Sequence, residues 1–202
     1  MLDLILRPAK ERLLAPAARA LGSTVSPLAV TLTAFVAGAA AALSAARGGY
    51  HLAFVLWILN RALDGFDGTL ARTQGRQSDI GGYLDIVLDF VVYAAIPIAL
   101  VVAQPSKATA IAGLILLGSF YVNSASWMYL ATVLERRDAG SRARGELTSI
   151  AMPSGLVEGI ETILFYSLFL LFPNRLVQLF AIMTVLVMLT VVQRIAWAAR
   201  LL

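Results

Sequence analysis

DGFDGTLARTQGRQSDIGGYLDIVLD, residues 64–89, sets Asp64, Asp67, Asp85 and Asp89 into a chain that elsewhere reads as membrane. A carboxylate near a bilayer centre costs roughly 2.5–3.5 kcal/mol on insertion scales. A chain that keeps four of them close together needs something positive to offset that cost. The composition sharpens the problem: of 202 residues, 59% are hydrophobic and 14% charged. A soluble domain of this size cannot hide so much apolar surface, so the chain reads as an all-α integral membrane protein. It contains no cysteine, which excludes disulfides and cysteine-ligated metals.

Outward from that stretch, runs of about 20 apolar residues predict six transmembrane helices: Pro27–Ala46, Tyr50–Arg72, Ile80–Ala103, Thr109–Leu134, Pro153–Phe172 and Arg175–Arg200. The breaks between them are Gly-, Pro- and charge-rich, as at Arg47-Gly48-Gly49 and Pro173-Asn174. Small residues at 37–42 in the first span suit close helix packing. The N-terminal MLDLILRPAKERLLAPAARALG is not a signal peptide, because Arg7, Lys10, Arg12 and Arg19 interrupt it. It reads as an amphipathic helix on the membrane surface, offering Leu2, Ile5, Leu6, Leu13, Leu14 and Leu21 to lipid. The expectation is one domain over residues 1–202, with a juxtamembrane helix at 1–22 and a six-helix core at 27–200.

Charge bias gives an orientation. With the N-terminus cytoplasmic, that side carries Arg7, Lys10, Arg12, Arg19, Arg72, Arg76, Arg136, Arg137, Arg142, Arg144, Arg194 and Arg200. The opposite side carries Arg47, Lys107 and Arg175. Both termini, and the aspartates at the end of the second and third spans, are therefore expected in the cytoplasm. The net charge of +4 follows from this bias and from anionic headgroups, and implies no nucleic-acid partner.

Asp64 and Asp67 lie three residues apart, Asp85 and Asp89 four apart, so each pair shares a helix face. The two helices are joined by a short turn, which lets the faces converge. Arg72 alone does not balance four carboxylates, whereas one or two divalent cations do. Oxygen-only donors suit Mg²⁺ or Mn²⁺, and such sites keep positions for substrate phosphates. Gly65, Gly68, Gly81 and Gly82 allow close approach of helices or ligand. The alternative, acid pairs salt-bridged to arginines, is weakened by the excess of acids. A metal-charged site beside lipid points to a diphosphate with a hydrophobic tail.

Asp64, Asp67, Gly68, Ala71, Arg72, Gly81, Asp85 and Asp89 fill every fixed position of D-x2-D-G-x2-A-R-x8-G-x3-D-x3-D. On these residues the chain resembles the CDP-alcohol phosphatidyltransferase family, as it does in length and helix layout. The resemblance implies transfer of a phosphatidyl group from CDP-diacylglycerol to a small polar alcohol, with release of CMP. It implies a pair of metal ions, Mg²⁺ or Mn²⁺, in each site of a homodimer in a bacterial inner (plasma) membrane. Asp64, Asp67 and Asp85 would be metal ligands, and Asp89 both a ligand and the general base. Gly68, Ala71, Arg72 and Gly81 would frame the cytidine diphosphate, with a looser match at Ser26, Pro27 and Thr31. A helix cap at Ser26 followed by Pro27 explains that last match equally well.

For the acceptor alcohol, the candidates are Arg136 and Arg137, with Arg142 and Arg144, which would hold a phosphate, and Glu158 and Glu161, which would repel one and bond a polyol or amine. GIETILFY, residues 159–166, is similar to the corresponding helix of eukaryotic phosphatidylinositol synthases. Ser119, Asn123, Ser124 and Ser126 form a polar strip that either lines the acceptor cavity or bonds between helices. Asn60 is within reach of the metal site, and Arg61 is expected to snorkel or pair with an acid. His51 reads as a surface residue, and Trp57, Trp127 and Trp197 as packing or interfacial anchors. Two other classes stay open. An intramembrane prenyltransferase also uses aspartates and Mg²⁺ on a lipid diphosphate, but usually with more helices and more widely separated motifs. A divalent-cation transporter would spread its acids through the membrane depth.

Overall fold

The computed structural model describes residues 13–22, 24–137 and 155–201. Among them all regular structure is helical: α1 (residues 13–21), α2 (Pro27–Ala46), α3 (Tyr50–Gln74), α4 (Asp79–Ala103), α5 (Lys107–Arg136), α6 (Gly159–Leu171) and α7 (Leu176–Leu201), with a 3-10 turn at Pro173–Arg175 before α7. Of the expected surface helix, residues 13–21 are helical; Leu2, Ile5 and Leu6 lie outside the described residues, as do Arg142 and Arg144.

Local chemistry sets the ends. Ser26 stands in extended conformation before α2 with Pro27 at the first helical position, where its missing N–H is no loss. Gly75, at φ 63°, closes α3 in the left-handed conformation that glycine adopts without Cβ strain. Ser78 then opens α4 by accepting the Gly81 N–H at 3.1 Å, and Asp79 in the first turn complements the helix dipole. These two caps bound the four-residue turn that joins α3 to α4.

α2, α4, α5 and the stretch Pro173–Arg200 are each long and apolar enough to cross a membrane. The six-span expectation is therefore met in helices but not in apolar spans. α3 is 25 residues long, but Arg61, Asp64, Asp67 and Arg72 interrupt its hydropathy. α6 corrects a predicted boundary: it starts at Gly159, not Pro153, and has only 13 residues. At about 1.5 Å per residue it covers about 20 Å of a hydrocarbon core about 30 Å thick. Residues 155–158, just before it, are non-helical and bond to α7. Val157 N–H donates to Thr190 Oγ1 at 3.0 Å, and a Cβ on Gly155 would meet Thr190 Cγ2 at 2.2 Å.

α2 packs against both α3 and α4, α5 against α7, and α6 against α3. Ala34, Ala37, Gly38, Ala41, Ala42 and Ala45 are the buried face of α2, as its small residues suggested. At Gly38 the approach is closest: a Cβ there would lie 2.6 Å from Val92 of α4 and 3.0 Å from Asn60 of α3. One apolar cluster draws Ala41, Trp57, Ile96, Leu116, Phe169 and Phe180 from helices α2 to α7 in turn. Trp57 is a core residue, stacked on Tyr166 with ring centroids 5.0 Å apart. Leu32, Val36, Val102, Leu114 and Val185 face outward, as a lipid-contacting surface requires.

Candidate active site

The tight α2–α3–α4 packing brings three faces together. α3 presents Asn60, Asp64 and Asp67 at helical spacing, α4 presents Asp85 and Asp89 one turn apart, and α2 adds Thr31. Asp64, Asp85 and Asp89, with Thr31, Asn60 and Val92, line a void of ≈ 10 Å³, about the room of one water-sized particle. Asp67 does not line this void. It is buried, and its Oδ2 accepts the Thr31 hydroxyl at 2.6 Å. Three of the four carboxylates thus line one void, while Asp67 is held to α2.

A cation of the chain's own stands among the acids. The Arg61 guanidinium donates to Asp89 through Nη2 to Oδ1 at 2.6 Å and Nη1 to Oδ2 at 3.1 Å. Its Nη1 lies 3.6 Å from Asp64 Oδ2 and donates to the Tyr93 hydroxyl at 2.8 Å. Nε donates to Asn60 Oδ1 at 2.7 Å, and Asn60 in turn donates to the Ala34 carbonyl at 2.7 Å. The guanidinium carbon sits 4.8 Å from the Trp57 ring centroid and 5.0 Å from that of Tyr93. The acid-pairing alternative for Arg61 is therefore realised. The aromatic partners were not foreseen, although Tyr93 lies four residues after Asp89 and so on its helix face.

Among the described residues no three acids stand together as a metal-binding group. Thr31 draws Asp67 toward α2, and Arg61 draws Asp89 toward α3. The donor set nevertheless fits a hard divalent ion, since only carboxylate, hydroxyl and amide oxygens surround the void. One guanidinium offsets the charge of four carboxylates only in part.

The glycines of the motif have visible reasons. The Arg72 guanidinium folds back over Gly68, where a Cβ would stand 3.2 Å from Nη1. Arg72 Nη2 also reaches Thr69 Oγ1 at 3.4 Å. Gly81 serves the Ser78 cap, its would-be Cβ 3.0 Å from Ser78 Oγ. Ala71 is half-buried on α3.

Toward the other end of the chain the picture differs. Glu158 is the N-cap of α6 and Glu161 stands in its first turn, so both sit at the head of the helix. Glu158 N–H donates to Glu161 Oε2 at 3.1 Å and the Glu158 side chain accepts the Glu161 N–H, a capping box; Glu158 Oε1 also accepts Gly155 N–H at 2.8 Å. Arg136 and Arg137 stand exposed at the C-terminal end of α5. The α5 serines bond carbonyls of their own helix, while Asn123 bonds between helices, accepting from the buried Arg194 at 2.6 Å. Sequence reasoning counted Arg194 only as surface charge.

Residues 24–201 match the family model described as CDP-alcohol phosphatidyltransferase. The inner membrane protein YnjF of Escherichia coli K12 is 38% identical over 174 residues, 86% of this chain and 83% of that protein. A bifunctional IPC transferase and DIPP synthase of Thermococcus kodakarensis is 43% identical over 65 residues, 32% of this chain and 15% of that protein. Among solved structures, Mycobacterium tuberculosis phosphatidylinositol phosphate synthase with CDP-DAG bound has a TM-score of 0.70 at 22% identity, covering 93% of this chain and 94% of that one. The same enzyme in complex with manganese and citrate gives 0.69 at 22% identity, over 92% and 88%. At that identity the likeness is one of fold.

Proposed function

The chain belongs to the CDP-alcohol phosphatidyltransferase family, membrane transferases that make phospholipids from a CDP-linked lipid, and from that premise we propose how its residues divide the work. The observation that carries the reading is the meeting of Asp64, Asp85 and Asp89 around one void, with Asp67 beside them. The donor is CDP-diacylglycerol, the lipid bound in the Mycobacterium structure of the same fold. The acceptor hydroxyl attacks the lipid-side phosphorus, and the bond to CMP breaks.

Asp64, Asp67, Asp85 and Asp89 would hold divalent ions, and the manganese complex of the structural neighbour supports that choice. Bound there, such ions would neutralise the diphosphate and stabilise the charge on the departing phosphate. Asp89 aligns the acceptor hydroxyl and takes its proton as attack proceeds. Thr31 holds the Asp67 carboxylate in one rotamer by its 2.6 Å hydrogen bond. Arg72, laid over Gly68, faces the cytidine diphosphate with a fixed charge, and Gly81 and Ala71 leave room beside it. Val92 and the alanines of α2 keep the floor of the site apolar, which limits water near the reacting phosphorus.

The wider reading is a six-helix inner-membrane protein working as a homodimer. Its termini and active site face the cytoplasm, as the arginine bias favours. The acceptor is a small polyhydroxy alcohol or its phosphate. Arg136 and Arg137 are the cationic candidates for that side, and the structural neighbour's identity as a phosphatidylinositol phosphate synthase puts inositol phosphate first in a screen. The test incubates the purified chain with CDP-diacylglycerol, Mg²⁺ or Mn²⁺, and a panel of acceptors. Metal-dependent CMP release with a lipid product of matching mass is the expected result. No CMP release with any acceptor would overturn the reading. Ion flux into nucleotide-free proteoliposomes would favour a transporter instead, and consumption of a prenyl diphosphate a prenyltransferase.

A further inference from the structure

A phosphatidyl transfer needs ligands for metal and a base for the hydroxyl; it does not by itself need a buried arginine bonded to that base. We infer that Arg61 is a positioning residue: a permanent counter-cation that clamps the Asp89 carboxylate and sets how tightly the aspartates bind a divalent ion. The inference rests on the metal reading above and deepens it.

Arg61 is built in from every side. Its side chain is 6% exposed, and its fork meets both oxygens of Asp89, the bidentate geometry that fixes a carboxylate most firmly. Two further donors go to Asn60 and Tyr93, and the Trp57 and Tyr93 rings hold the plane of the guanidinium. Tyr93 is itself pinned. Pro97, four residues on in α4, removes the helical N–H that would bond the Tyr93 carbonyl. The Tyr166 hydroxyl donates to that carbonyl instead, at 2.5 Å. A proline, two tyrosines and a tryptophan thus fix one guanidinium against one carboxylate.

Two consequences follow. A guanidinium does not give up its proton, so its charge is constant and repels any second cation placed at Asp64 and Asp89. A carboxylate offers about four lone-pair sites, so Asp89, clamped on one side, keeps others for a metal or an acceptor hydroxyl. Arg61 therefore lowers divalent affinity while holding Asp89 in its working orientation.

The experiment titrates Mn²⁺ into the full detergent-solubilised chain without nucleotide or acceptor, and follows thermal unfolding in EDTA and in Mn²⁺. For Arg61→Gln, Mn²⁺ should bind at least about fivefold more tightly, the lower end of typical coupling between sites. Its melting temperature should fall in EDTA and recover most of the loss in Mn²⁺. Arg61→Lys keeps the charge but not the fork; its Mn²⁺ affinity should stay near wild type while turnover drops. Unchanged or weaker Mn²⁺ binding by Arg61→Gln would overturn the inference. So would failure of both variants to fold in Mn²⁺, which makes Arg61 a packing element only. Absence of saturable Mn²⁺ binding in the wild-type chain would instead remove the metal reading itself.

Discussion

Asp85 and Asp89 lie well inside α4, and Glu158 and Glu161 at the head of α6; both pairs are acids at helical spacing, and the fold uses them in opposite ways. Asp85 and Asp89 lie beyond the first turn of α4, where backbone N–H groups have helical partners, and their side chains meet a void and, at Asp89, an arginine of the neighbouring helix. At the start of α6 backbone N–H groups lack helical partners, and the glutamates turn back on the backbone: the Glu158 side chain takes the Glu161 N–H, and Glu161 takes the Glu158 N–H. Position relative to a helix end, rather than acid spacing, decides which carboxylate is left for chemistry.

That contrast is open to test, the largest effect first. Asp89→Asn should fold and yet lose roughly 10²–10⁴-fold of CMP release, the usual contribution of a general base; near-wild-type turnover would remove Asp89 from the reaction. Thr31→Val takes away the donor to a buried carboxylate. It should lower stability by about 1.5–3 kcal/mol, read as a fall in the detergent melting temperature, with turnover reduced as well. On the glutamate side the effects should be on stability alone. Gly155→Ala forces a methyl into Thr190 and should cost roughly 1–3 kcal/mol. Thr190→Ser, which keeps the hydroxyl for Val157 but removes the clashing methyl, should restore most of that loss. Glu161→Ala should remove only a cap, about 1 kcal/mol, with turnover per folded molecule within twofold. A hundredfold drop in turnover at an unchanged melting temperature would instead make this pair part of the acceptor site and erase the contrast.

Legibility follows the same division. Helices α2 to α5 and α7 were readable to within a few residues because apolar runs, glycines and serine caps are local signals. The start of α6 was misread because its entry segment is apolar enough to be helix. Its Val157 N–H goes instead to Thr190, more than thirty residues away in sequence. The aspartates and the motif glycines were legible as a set. Arg61 was legible as an acid's partner, but its Trp57–Tyr93–Tyr166 surroundings were not, since Tyr166 reaches the site from another helix and through a carbonyl freed by Pro97. Arg194 was read as surface charge, and the fold buries it against Asn123.

The sequence by itself determined that the chain is membrane-bound and helical, which family's motif it carries, and which carboxylates share a face. Those properties depend on composition and on spacing within one helix, where geometry repeats every 3.6 residues. The tertiary structure alone decided that Asp67 is held by Thr31, that Asp89 is clamped by Arg61, and that Glu158 and Glu161 close a helix. Each of those outcomes is set by which backbone or side-chain group lies opposite once the helices pack, and spacing along one helix carries no information about its neighbour.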